Sequence, residues 1–362
     1  MLNDRNMHFK MILTTTLIMA ISALVACSEN GKMDVPVNDW PWSDDEEVVT
    51  PDPGPEMPSE SDPAYVDAGW VNVEDTFGSL PGYINVYKSP AELESKSVVA
   101  YIAVADMMKA EWDVWSVKAD KDYKTTDSYR TPSEVYAETQ SPVIINGGYF
   151  YYSGGNYTSS LAVSGGVVYA YNINYASEDW VDIYYPTRAV FMETEDGDFD
   201  ACYSYWNGSV NYIYQIPAEN SYSQDPKQQP SASYPEKASS FSAETAIGGG
   251  PVLINSGELV NTWSEEMFDV GGVNPTSNQP RTALGITSDN KLIFFVCEGR
   301  NMTPGVAGLT TQDVANVLLD LGCVEAINLD GGGSSCMLVN GQETIKVSGS
   351  TQRSVASTVM IK

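Results

Sequence analysis

Apolar residues gather in short runs at 83–87, 98–104 and 112–117, the last with the clearest alternation of apolar and polar positions, and each run predicts a strand. Thr131-Pro132-Ser133-Glu134 predicts a helix start: Thr caps, Pro suits the first turn and Glu closes a capping box. That helix should stop near Gln140, because Ser141 precedes Pro142. Residues 142–146 then read as a buried strand running into Gly147-Gly148. Residues 149–222 are rich in Tyr, Thr, Val and Gly without helical periodicity, which predicts strands and hairpins. A Ser-, Gln- and Pro-rich stretch at 221–242 reads as a surface loop, and 246–255 as a Gly-rich strand and turn.

The C-terminal third is the most sharply patterned. Residues 291–297 form a nearly continuous apolar run, as in a central strand. Thr310 or Thr311 caps a helix whose apolar positions Val314, Val317, Leu318 and Leu321 form one stripe, with Gly322 as its left-handed stop. Residues 324–329 form another buried strand that opens into Asp330-Gly331-Gly332-Gly333-Ser334-Ser335, a turn placed at a sheet edge. No fixed-period repeat is evident, which disfavours solenoids and propellers. The pattern predicts an α+β fold: a mixed, largely antiparallel sheet core with few helices and Gly-rich turns at a sheet edge.

The N-terminal region differs in kind. Lys10 is followed by an apolar run over 11–26, too short for a comfortable membrane span, and Leu24-Val25-Ala26-Cys27 resembles a bacterial lipobox. Residues 1–26 are therefore expected to be a lipoprotein signal peptide, with Cys27 lipidated and the protein anchored in a bacterial cell envelope, on the periplasmic side or the surface. Residues 27–64 read as an acidic, Pro-rich linker containing the like-charge block Asp44-Asp45-Glu46-Glu47. Residues 65–130 would be a strand-rich part of the folded unit, and 131–362 its catalytic portion.

Charge and composition narrow the chemistry. Nineteen basic and 48 acidic residues give a net charge of −29, which disfavours nucleic acid as a partner and requires any anionic ligand to be held at a local positive site. The one histidine, His8, falls in the leader, so histidine-based nucleophile, acid–base and zinc systems are not expected in the mature chain. Cys202, Cys297, Cys323 and Cys336 remain after Cys27, an even number that leaves three disulfide pairings or buried free thiols open.

Four short signals are left for chemistry: Asn146-Gly147-Gly148-Tyr149-Phe150, Gly248-Gly249-Gly250-Pro251, Arg281-Thr282-Ala283-Leu284-Gly285, and Asn328-Leu329-Asp330 with its Gly-Gly-Gly-Ser-Ser tail. Glycine runs permit close main-chain approach and can form anion-binding nests. Arg281 is the best anion receptor, with Arg300 and Arg353 behind it. Glu298 and Asp330 each follow an apolar strand, an arrangement that would pair two carboxylates for glycoside cleavage and leaves room for a divalent cation between them.

Taken together and in this order, these motifs resemble the phosphodiester glycosidase family over roughly 131–362, with Arg353-Ser354-Val355-Ala356 as a further match. Glu298-Gly299-Arg300 stands where many members have Asp-Gly-Arg, and Arg353-Ser354 where Arg-Pro is common. The resemblance implies hydrolysis of a sugar-1-phosphodiester at the anomeric carbon, releasing free sugar and a phosphomonoester; the substrate is expected on an envelope or host glycan, and the protein is expected to act as a monomer without a cofactor. Asp330 and Glu298 would be catalytic. Arg281, Gly331, Gly332, Gly333, Ser334, Ser335 and Arg353 would hold the phosphate, while Asn146, Gly147, Tyr149, Gly249, Asn328 and Arg300 would line the substrate. Two other readings compete: a metal-assisted phosphodiesterase cleaving the P–O bond, and a tethered glycan-binding lipoprotein using Tyr203, Tyr205, Trp206, Tyr212 and Tyr214 as a stacking platform.

Overall fold

The computed structural model describes residues 62–152, 154–222, 225, 228–268 and 272–362. The leader, Cys27 and the linker up to residue 61 lie outside the described residues. The described residues all belong to one compact unit.

That unit is dominated by antiparallel sheet, with three α-helices among the described residues: Pro63–Asp67, Pro132–Thr139 and Thr311–Asp320. An eight-stranded sheet runs in the order Val71–Asn72, Ile84–Lys88, Ala100–Asp106, Lys291–Cys297, Arg281–Thr287, Cys323–Asn328, Val252–Asn255, Glu258–Leu259. A seven-stranded sheet centres on Thr245–Gly248, Arg188–Glu193 and Phe199–Trp206, and a five-stranded sheet on Val143–Asn146 and Ser357–Ile361. Inward-facing residues of all three, among them Phe294, Phe191 and Ile145, form one hydrophobic core. The opposite face of the large sheet, with Ala283, Phe295 and Cys297, is covered by Val314, Val317 and Leu318 of the helix Thr311–Asp320. Apolar burial on both faces explains the unbroken hydrophobic run of its central strands.

Local signals translate directly. Thr131 and Thr310 each close a full capping box, with Glu134 and Asp313 as the reciprocal partners. The strands before and after Thr311–Asp320 are not neighbours: Arg281–Thr287 lies between them, antiparallel to both. Arg281 pairs with Cys297, and Ala283 with Asn328, so one edge of the sheet collects the start of one strand and the ends of two others. Gly248-Gly249-Gly250-Pro251 is the crossing from the seven-stranded to the eight-stranded sheet. A Cβ on Gly148 would overlap the main-chain oxygen of Gly248, so both glycine runs exist to let the sheets touch.

Cys202, Cys297, Cys323 and Cys336 are buried free thiols, which answers the pairing question in favour of no disulfide among them. Tyr203, Tyr205 and Tyr214 belong to the common core, and Trp206 is 9% exposed and stacked on Tyr171 at 3.8 Å. The expected sugar platform is thus not formed: the tyrosines pack into or against the core, and Trp206 leaves the opposite face of the strand.

Candidate active site

A cavity of about 740 Å³ opens where the three sheets meet. Asp330, Gly331, Gly332 and Gly333 line it at the end of Cys323–Asn328. Arg188, Arg281, Arg300 and Arg353 line it too, four of the six arginines in the chain; the other two are Arg5 and Arg130. In a protein of net charge −29, this concentration makes the cavity a positive site in a negative surface. Tyr149, Tyr151, Tyr175, Trp180 and Phe268 supply aromatic wall.

Asp330 is held from several directions. Asn146 donates from Nδ2 to its main-chain oxygen at 2.6 Å. Ser334 and the Gly331 amide hydrogen-bond its carboxylate, and Arg353 donates to Ser334 Oγ at 3.3 Å. Burial nevertheless dominates these interactions and the nearby charges of Arg353 and Arg300, so the carboxyl is pushed up to about 6. Each glycine of the run lies close to a neighbour: a Cβ on Gly331 would lie 2.8 Å from Pro280 O, one on Gly332 2.7 Å from Arg300 Nη2, and one on Gly333 would overlap Arg353. Arg300 is steadied by Gln279, which accepts from its Nε at 3.0 Å.

Arg281 behaves differently from a free anion receptor. Its Nε donates to Leu309 O at 2.9 Å, Nη1 to Val273 O at 3.0 Å, and Nη2 to Asn274 O and Ser277 O at 2.7 and 2.8 Å. Four of its five N–H groups therefore bind main-chain carbonyls. It faces the cavity but chiefly clamps the 273–277 loop. The amide cradle is also partly committed, since Gly332 N donates to Pro280 O at 2.8 Å and Gly331 N to Asp330 itself.

Glu298 does not join Asp330, contrary to the paired-carboxylate expectation. Strand alternation places it on the same face as Val296, opposite to Arg281, whose partner is Cys297. There it is 3% exposed and accepts the Lys346 amide at 3.0 Å. Asn146, Gly147 and Asn328 likewise sit behind the wall. Asn146 Oδ1 accepts from Thr282 Oγ1 at 2.8 Å and Cys336 N at 3.1 Å, while Gly147 N donates to Ser357 O at 2.8 Å. Asn328 Nδ2 donates to Tyr149 Oη, Gly250 O and Leu329 O. Their fully buried polar groups fix the strand ends that carry the site, which corrects their assignment to substrate contact. Ser334 and Ser335 are buried, Ser334 acting through Arg353 and Asp330. Tyr149, Gly249, Arg300 and Arg353 do line the cavity.

Sequence reasoning overlooked Arg188, which opens the strand Arg188–Glu193 and lies over the Phe268 ring at 4.3 Å. The signal was present: like Arg281, it stands shortly after a proline and directly before an apolar strand. Glu266 was overlooked as well. It is fully buried and accepts from Ala189 N and Val252 N at 2.7 Å and from Thr262 Oγ1 at 2.9 Å, tying two sheets together behind Gly250. Burial pushes its carboxyl up to about 7 despite these bonds and Arg188. Among the described residues no group of three or more His, Cys, Asp or Glu is arranged to hold a metal ion.

An arginine-rich cavity with one carboxyl among its described lining residues defines a site for a ligand carrying negative charge. The family model for phosphodiester glycosidases matches residues 139–362, and the chain belongs to that family. Over 82 residues it is 37% identical to the SPbeta prophage-derived uncharacterized protein YomE of Bacillus subtilis (strain 168), a stretch covering 23% of this chain and 12% of that protein. Among solved structures, its fold is similar to the catalytic domain of zebrafish N-acetylglucosamine-1-phosphodiester alpha-N-acetylglucosaminidase, auto-inhibited by its pro-peptide, at 19% identity and TM-score 0.51. That match covers 78% of this chain and 84% of the zebrafish one. A hypothetical protein from Synechocystis is similar at 16% identity and TM-score 0.50, over 78% of this chain and 64% of that one. The chain thus spans less than two thirds of the Bacillus and Synechocystis proteins.

Proposed function

We propose that the protein hydrolyses a sugar-1-phosphodiester at the anomeric carbon, releasing free sugar and a phosphomonoester. The observation that carries this reading is the shared cavity of Asp330 with Arg188, Arg281, Arg300 and Arg353. Family membership and the likeness to the zebrafish catalytic domain support it. A phosphate ester is a weak base, so its departure calls for charge stabilisation more than protonation. Arg300 and Arg353, held against Gly332 and Gly333, supply that charge, and the remaining N–H of Arg281 adds to it. Water adds to the anomeric carbon and gives a proton to Asp330, the C–O bond breaks, and the bridging oxygen leaves with the phosphate. A carboxyl near 6 is mostly ionised at neutral pH yet basic enough for this role.

The test is product analysis with the purified globular part and a defined sugar-1-phosphodiester. Free sugar supports the reading, and sugar phosphate would establish P–O cleavage instead. Asp330→Asn is expected to lower kcat by about 10²–10⁴-fold. Undiminished rates in both Asp330→Asn and Arg353→Ala refute the assignment.

The natural substrate is proposed to be a glycan of the cell envelope or of a host, met by a lipid-anchored enzyme. The lipobox ending at Cys27 and the acidic linker support this placement. Cys27→Ser should release the protein from the membrane fraction; continued membrane retention would count against the anchor.

A further inference from the structure

A second groove of about 570 Å³ adjoins the cavity. Tyr151, Tyr175 and Trp180 line both, and beyond them the groove is walled by Tyr123, Tyr157 and Trp206, with Lys121 and Asp122 also lining it. Tyr151 and Tyr157 are parallel at 4.9 Å. Trp180 is 76% exposed and has a φ of 63°, a conformation a bulky residue rarely adopts. Its loop is nonetheless locked: Trp180 N donates to Ser177 Oγ at 2.8 Å, and Asp179 Oδ1 accepts from Val181 N and Asp182 N. A large ring held out at the junction of two cavities has a use in binding that core packing does not explain.

We propose that this groove is a carbohydrate subsite, holding a further sugar unit covalently joined to the phosphodiester cleaved in the cavity. The inference rests on the hydrolase reading above. Charge divides the two compartments. The cavity has four arginines, whereas the cation in the groove, Lys121, is paired with Asp122 at 3.3 Å. A second phosphate finds no unpaired cation among the described groove residues; a neutral ring finds aromatic faces for its C–H side and tyrosine hydroxyls for its polar edge. Its volume lies within the range of small-ligand sites.

Three matched substrates test this: a monosaccharide-1-phosphate methyl diester, the same diester with a sugar in place of methyl, and the same with a second sugar on the glycone. One extended substrate should exceed the methyl diester in kcat/KM by about tenfold, mostly through KM, and which one identifies the arm that occupies the groove. Tyr157→Ala should bring that ratio close to one, and Tyr157→Phe, which retains the ring, should preserve it. Equal kcat/KM for all three substrates, or a ratio unmoved by Tyr157→Ala, overturns the subsite. Failure to hydrolyse any of the three overturns the hydrolase reading instead.

Discussion

The guanidinium of Arg353 lies so close to Gly333 that a methyl group on the glycine would overlap Nη2. Gly333→Ala must therefore displace Arg353 from Ser334 and from the charge of Asp330. The expected outcome is a fall in kcat of about 10²-fold or more, comparable to Arg353→Ala, with the melting temperature nearly unchanged. Steady-state kinetics and a thermal melt on both variants check it.

Arg281 and Arg353 should separate in the opposite sense. Arg281→Ala leaves the carbonyls of Leu309, Val273, Asn274 and Ser277 without their donor. Buried carbonyls stripped of a charged partner cost about 3–5 kcal/mol together. Loss of activity is thus expected to accompany a lower urea midpoint for Arg281→Ala, while Arg353→Ala keeps the midpoint of the parent.

Asp330 makes two pH-dependent predictions. As the base, it should give a kcat/KM that rises with pH through about 6. Its folded-state value lies above the ordinary 3.8, so the stability it contributes below that pH is lost as pH rises through about 6. Asp330→Asn should accordingly melt higher than the parent at pH 7–8, on the scale of about 2–4 °C per kcal/mol, with the gap closing below about pH 4. Calorimetry across pH checks the sign.

Glu298→Gln should leave kcat within about threefold, the range of a change outside the reacting centre. The amide oxygen can still accept from Lys346 N, and the other carboxylate oxygen has no hydrogen-bond partner among the described residues. A loss of about 10²-fold in a kinetic assay would return Glu298 to the machinery.

What could be read in advance was local. Thr131 and Thr310, the run 291–297 and the glycine clusters each depend on neighbours a few residues away, and there the sequence sufficed. The direction of Glu298 depended on register: only the pairing of Arg281 with Cys297 reveals that the two side chains leave opposite faces. The role of Arg281 depended on a loop, 273–277, folding over it, which no spacing announces. Tyr203 and Tyr205 looked like a sugar platform because strand alternation specifies a face but not which face is covered.

The crossing at 248–251 has a consequence for assembly. Arg188, Asp330 and Arg353 reach one cavity from segments spread over more than 160 positions, and none of the sheets supplies the constellation alone. Turnover should therefore be an all-or-none reporter of folding. A chain nicked in an exposed loop should stay active while its halves remain docked, and the separated fragments should each be inert until they recombine.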